Sequence, residues 1–148
     1  MSDKKVVQKV VLGGVVFSKE HKFLIMQRNE NEDIYPGLWE LPSGKKEELE
    51  EAEASLLREI KEEAGVDVEI VVPVSVFNYQ IEKPDEIRDS TQINFLVKIK
   101  DGQEVHISEE HQNYAWVDKD ELNKYGISDA TKKVLLKAFE LLKKLNIQ

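Results

Sequence analysis

A chain of 148 residues, 41% apolar and 34% charged, is long enough to bury a core and too rich in hydrophobic residues to read as disordered. It holds no cysteine, which excludes disulfides, thiolate metal sites and a cysteine nucleophile. A formal charge of −8, with no dense Lys/Arg cluster before the carboxyl-terminal segment, argues against a nucleic-acid polymer as partner.

Lys5–Phe17 is rich in valine and β-branched residues and predicts a strand, bent or bulged at Gly13-Gly14. A polar turn at Glu20-His21-Lys22 leads to a short buried strand over residues 23–27. Residues 29–37 are polar and end Tyr35-Pro36-Gly37, the mark of an exposed loop. Residues 38–41 suit a brief strand before Pro42-Ser43-Gly44. From Leu49 or Glu50 the period changes. Ala52, Leu56, Ile60 and Ala64 recur every four residues on a charged background, which predicts an amphipathic helix. Gly65 then stands where helices commonly end in a left-handed residue. Residues 66–81 read as strand interrupted by Pro73, residues 92–99 as a clearer strand, and Asp101-Gly102 as a hairpin turn. A short strand over residues 113–117 follows. Ser128 caps a final helix with Ala130, Val134, Ala138, Leu141 and Leu145 on its apolar face.

Strands on both sides of one helix, with a second helix at the end, imply an α+β fold: a central mixed sheet sandwiched between helices, in one domain spanning 1–148. No apolar run approaches the roughly 20 residues that cross a bilayer. The start, Met1-Ser2-Asp3-Lys4-Lys5, lacks signal-peptide character. The expectation is a cytoplasmic protein without a membrane partner.

The segment GKKEELEEAEASLLREIKEEAGV, residues 44–66, carries the chemistry. Glu59, Glu62 and Glu63 stand at i, i+3 and i+4 and share one helix face. Three adjacent carboxylates repel one another unless positive charge joins them, and their hard oxygens suit Mg²⁺. The alternate-position acids of a calcium loop are absent. Glu/Lys runs are also common on solvated helix faces, and residues 47–53 contain some of that.

The flanks decide between these readings. Gly44, Glu50, Arg58, Glu59, Ile60, Glu62, Glu63, Gly65 and Val66 fill every specified position of G-x5-E-x7-R-E-U-x-E-E-x-G-U, with U a bulky apolar residue. The segment therefore resembles the signature of Nudix hydrolases, and Pro36 to Pro42 is similar to the family's usual approach to it. The resemblance implies a Nudix-type sandwich and Mg²⁺-dependent hydrolysis of a diphosphate linkage in a nucleotide-like small molecule, with Mn²⁺ as a substitute. Glu59, Glu62 and Glu63 would be metal ligands, joined by the backbone carbonyl of Ser43, where the family often has glycine. Arg58 would hold Glu50 or Glu59 in place. Ser108-Glu109-Glu110-His111 resembles a later loop that supplies a further acid, so Glu110 would be an extra ligand or general base. Arg28 is a candidate phosphate contact, and Trp39, Tyr35 and Tyr79 are candidates for stacking on a base.

The small size is similar to the MutT-like branch, which cleaves nucleoside triphosphates to a monophosphate and pyrophosphate. The alternatives are an ADP-ribose or sugar-nucleotide substrate, a dinucleoside polyphosphate, or a non-catalytic nucleotide-binding module. The filled signature argues against the last, and the lack of cysteine against a diphosphate isomerase of the same fold. The family includes monomers and homodimers.

Overall fold

The computed structural model describes residues 3–148. Among them seven strands form one mixed sheet: β1 (Lys5–Phe17), β2 (Phe23–Arg28), β3 (Trp39–Glu40), β4 (Ser43–Lys45), β5 (Val68–Glu82), β6 (Glu86–Ile99) and β7 (His111–Val117). Helix α1 (Ala52–Ala64) lies between β4 and β5, and helix α2 (Asp129–Lys144) closes the chain after a 3-10 helix, Lys119–Lys124.

Strand β1 organises the sheet. It runs parallel to β6 from Lys5 opposite Glu86 to Phe17 opposite Lys98, and antiparallel to β4 and β2 on its other edge. Period-two alternation sends Leu12 and Val16 to one face and Val15 and Phe17 to the other. On the first face α1 inserts Leu56, Ile60 and Ala64 against Leu24, Met26 and Val97. On the second, α2 inserts Leu135, Ala138 and Leu142 against Phe23, Ile25 and Leu96. Each fully buried Leu or Ile contributes ~1.5–3 kcal/mol, so both helices are held by packing more than by propensity. The expected α/β/α sandwich with a mixed sheet is what forms.

Several local expectations change. Gly13-Gly14 makes no bulge, since the β1/β6 register passes through both without a shift. The glycines serve proximity instead: a Cβ on Gly13 would stand 2.2 Å from Asn94 Oδ1, and one on Gly14 2.6 Å from Ile60 Cδ1. Asp101-Gly102 is a turn but joins no hairpin; the hairpin is β5–β6, closed where Lys83 N–H donates to the Glu86 carbonyl at 2.8 Å. Strand β6 begins at Glu86, earlier than its apolar half predicted. Pro73 does not break β5; lacking an N–H, it sits where the ladder slips, between Pro73 and Ser75. The apolar face of α2 is turned slightly, with Ala130 and Leu145 exposed and Leu135 and Leu142 buried instead. Ser128 does cap this helix, its Oγ accepting the Thr131 N–H at 3.2 Å. No helix of the described residues is long and apolar enough to cross a membrane.

Candidate active site

Helix α1 begins without a side-chain cap at Glu51 and ends at Gly65, whose φ of 70° is left-handed. That conformation costs an L-residue ~1–2 kcal/mol, which glycine avoids. Just beyond lies the 103–110 loop. It satisfies carbonyls left open at the helix end: His106 N–H donates to Ala64 at 2.8 Å and Ser108 N–H to Glu63 at 3.0 Å. The loop is thereby pinned over the last turn, and Glu110 faces the same cleft as Glu59 and Glu63.

Three acids of α1 crowd its negative end, where the helix dipole opposes them. Glu63 is almost fully buried, and its Oε1 accepts the Ser43 N–H at 3.1 Å. Burial, followed by the charge of Glu40 and then of Glu110 and Glu59, pushes its carboxyl up to about 9. Burial also raises Glu59, with Arg58 opposing. The Glu59 carboxylate occupies the space beside Gly44, where a Cβ would come within 2.0 Å of its carboxyl carbon. Glu62 is more exposed and completes the outer mouth with Ser108 and Glu109.

Arg58 holds this group by a two-pronged fork. Nε and Nη2 donate to the two oxygens of Glu50 at 2.8 and 3.0 Å, while Nη1 reaches Glu59 at 3.0 Å and Glu62 at 3.2 Å. Those bonds hold the Glu50 carboxyl down at about 2 and raise the Arg58 guanidinium above its ordinary value. The guanidinium is thus committed to carboxylates.

Glu59, Glu63 and Glu110 line an open cleft of about 550 Å³ together with Lys9, Lys45, Lys46, Ser43, Gly44, Glu47 and Glu48. Lys9 and Lys45 share a sheet face, because Val11 pairs with Lys45 and Lys9 lies two residues before it. Burial lowers the Lys45 ammonium from its ordinary value, and Arg88, Lys83 and Lys9 add repulsion. A cleft lined by more carboxylates than lysines suits an anion that arrives with a cation and is met partly by lysines.

The four proposed substrate contacts have these neighbours in the structure. Arg28 turns to the Ile34 carbonyl at 2.9 Å and to Glu40 at 3.3 Å. Trp39 packs edge-on against Tyr125, with ring centres 4.9 Å apart. Tyr35 is exposed at the loop tip, and Tyr79 leans on Phe77 with ring centres 5.8 Å apart. None of these four lines the cleft.

Two residues of the cluster escaped the sequence reading. His111 Nε2 lies 2.9 Å from Glu40 Oε2 and 3.8 Å from Glu63 Oε2, and one ligand atom from each residue falls within 4.8 Å of the others, so the group could hold a metal ion. Glu40 stood inside the Pro36–Pro42 approach and His111 next to Glu110, but local spacing does not reveal a site assembled from two separate strands and a helix.

Comparison with known proteins agrees with this architecture. The family model of the NUDIX domain matches residues 7–139. A relative named nucleoside triphosphatase NudI, from Escherichia coli O139:H28 (strain E24377A / ETEC), is 32% identical over 124 residues, spanning 76% of this chain and 84% of its own. The crystal structure of a MutT protein from Methanosarcina mazei Go1 is similar over 100% of both chains, with TM-score 0.73 and 20% identity. A C. elegans Ap4A hydrolase in binary complex has TM-score 0.72 and 24% identity over 92% of this chain and 98% of its own. A hydrolase is the class of protein that the family model and these relatives define. The chain belongs to the Nudix family.

Proposed function

We propose that this hydrolase cleaves nucleoside triphosphates with Mg²⁺, releasing a nucleoside monophosphate and pyrophosphate. The observation that carries the reading is a cleft that gathers Glu59, Glu63 and Glu110 with Lys9, Lys45 and Lys46, and with Glu47 and Glu48 at the same opening. The name of the relative at 32% identity, a nucleoside triphosphatase, supports the substrate class.

The donor set fits a hard divalent ion. It is made of carboxylates, and burial of Glu63 beside Glu40, Glu59 and Glu110 is unfavourable unless a proton or a cation joins it. Glu59, Glu62, Glu63 and the carbonyl of Ser43 would hold the ion. When bound, Mg²⁺ (or Mn²⁺) supplies charge to the phosphoryl oxygens and lowers the pKa of attached water. The chain's own groups do the rest. Glu110, at the cleft wall, accepts the proton of the attacking water. Lys9, Lys45 and Lys46 bind phosphate oxygens and orient the chain of the substrate. Arg58 holds Glu59 at the cleft and Glu62 at its outer mouth. Positioning and electrostatics carry most of such a reaction.

The test is a panel of nucleoside triphosphates, sugar nucleotides and dinucleoside polyphosphates, with Mg²⁺ and with chelator, in heavy-oxygen water. Phosphorus NMR should show monophosphate and pyrophosphate from triphosphates only when Mg²⁺ is present, and the isotope marks the phosphorus attacked. Preferential turnover of either other class, or release of inorganic phosphate, would overturn the reading.

A further inference from the structure

His111 opens β7 immediately after Glu110, and its side chain is fully enclosed. The Glu40 oxygen that meets its Nε2 at 2.9 Å also takes Nη1 of Arg28 at 3.3 Å. Arg28 donates from Nε to the Ile34 carbonyl and pairs with Glu32, so it is tied to the 29–37 loop. The same Nε2 lies 3.8 Å from Glu63 Oε2, a contact longer than a hydrogen bond, and the other oxygen of Glu63 accepts the Ser43 N–H. Hydrogen bonds join the 29–37 loop, Arg28, Glu40 and His111, and His111 in turn lies against Glu63, which is tied to the Ser43 turn.

Two features favour positioning over metal ligation for Glu40 and His111. A guanidinium already lies 3.3 Å from Glu40 Oε2, the oxygen that meets Nε2, and a second cation beside it would meet its repulsion. Further, the acceptor partner at Nε2 calls for the N–H on that nitrogen, whose lone pair is then withdrawn from coordination. Nδ1, buried and without a hydrogen-bond partner among the described residues, is left as the bare nitrogen. The backbone extends the same tie: Asn29 N–H donates to the Glu110 carbonyl at 2.9 Å, and His111 N–H to the Ser108 carbonyl at 3.2 Å.

We propose that Glu40 and His111 are a positioning pair that fixes the carboxylate of Glu63 and, through the adjoining peptide, the reach of Glu110 into the cleft. The inference rests on the cleft being the site of hydrolysis. Its logic is that of outer groups that orient a ligand without touching the ion. Removing such a partner typically costs 10–100-fold in metal affinity or activity.

The experiment compares full-length wild type with His111→Leu, His111→Gln and Glu40→Ala. Each is measured for thermal stability, for Mn²⁺ affinity by electron paramagnetic resonance with the metal alone, and for kcat and KM on a nucleoside triphosphate. His111→Leu should lower kcat and Mn²⁺ affinity by about 10–100-fold with KM nearly unchanged, and Glu40→Ala should do the same. His111→Gln, whose amide can still donate to Glu40, should recover most of the loss. If His111→Leu does not fold, Glu40→Ala, at a partly exposed position, decides alone. Normal kcat and Mn²⁺ affinity with only a lower Tm would overturn the proposal. So would a directly bound nitrogen in the pulsed spectrum of the Mn²⁺ complex, which would make His111 a ligand. Should wild type cleave no nucleotide, the hydrolysis reading falls, and Mn²⁺ affinity across the variants still judges the pair.

Discussion

Glu63 is the side chain on which charge and burial conflict most sharply. Its proton is held up to about 9 in the folded protein against an ordinary 4.5, so the folded state binds that proton more tightly than the unfolded chain. The stability it contributes is complete below about 4.5 and is lost as pH climbs toward about 9. Calorimetry without metal should therefore show Tm falling from pH 6 to 9, and Glu63→Gln should flatten that slope. The same substitution should reduce kcat by about a thousandfold, the size expected when several kcal/mol of charge stabilisation disappear. Glu50 behaves in the opposite sense. Held at about 2 by hydrogen bonds from Arg58, it stabilises the fold above 4.5 and releases that contribution as pH falls toward 2. Arg58→Lys cannot make the double-pronged contact, so activity should drop about 10–100-fold while KM changes little, measured by steady-state kinetics. The spacing of Glu59, Glu62 and Glu63 was legible in the sequence because helix geometry fixes it locally. Glu40 and His111 were not, because only the β2–β3 and β2–β7 pairings bring them to α1.

At the scale of elements, α1 and its surroundings are fitted by absent side chains. Gly44→Ala would drive a methyl into the Glu59 carboxylate, the movable end of a flexible chain. It should leave Tm nearly unaltered yet depress Mg²⁺-supported turnover. Gly65→Ala is the contrasting case. It demands a left-handed alanine with its Cβ 3.0 Å from the His106 carbonyl oxygen, so chemical denaturation should show a loss of at least ~1–2 kcal/mol. Helix α1 could be read directly from the four-residue recurrence of Leu56, Ile60 and Ala64, and the length of β1 from its run of valines. The start of β6 could not. Residues 86–91 include Glu86, Arg88 and Asp89, and they become strand through backbone pairing with β1 and β5 on both sides rather than through an apolar pattern. The Asp101-Gly102 signal misled for a related reason: turn chemistry marks a reversal of the chain but does not choose the strand's partner.

For the molecule as a whole, the formal charge of −8 and the crowded acids at the end of α1 make cation binding and folding one linked equilibrium. Mg²⁺ at a hundred times its Kd should stabilise the protein by about 2.7 kcal/mol, read as a rise in Tm. The gain should be larger at pH 8 than at pH 6, because the proton on Glu63 competes with the ion. The parallel ladder between β1 and β6 bears on how this chain is made. Lys5 waits for Glu86 and Phe17 for Lys98, so the first strand leaves the ribosome long before its principal neighbour exists. Until translation has passed Ile99, the valine-rich amino-terminal segment lacks that partner and offers an edge to other nascent chains. That edge is covered only once the β5–β6 hairpin has emerged to take its place beside the first strand.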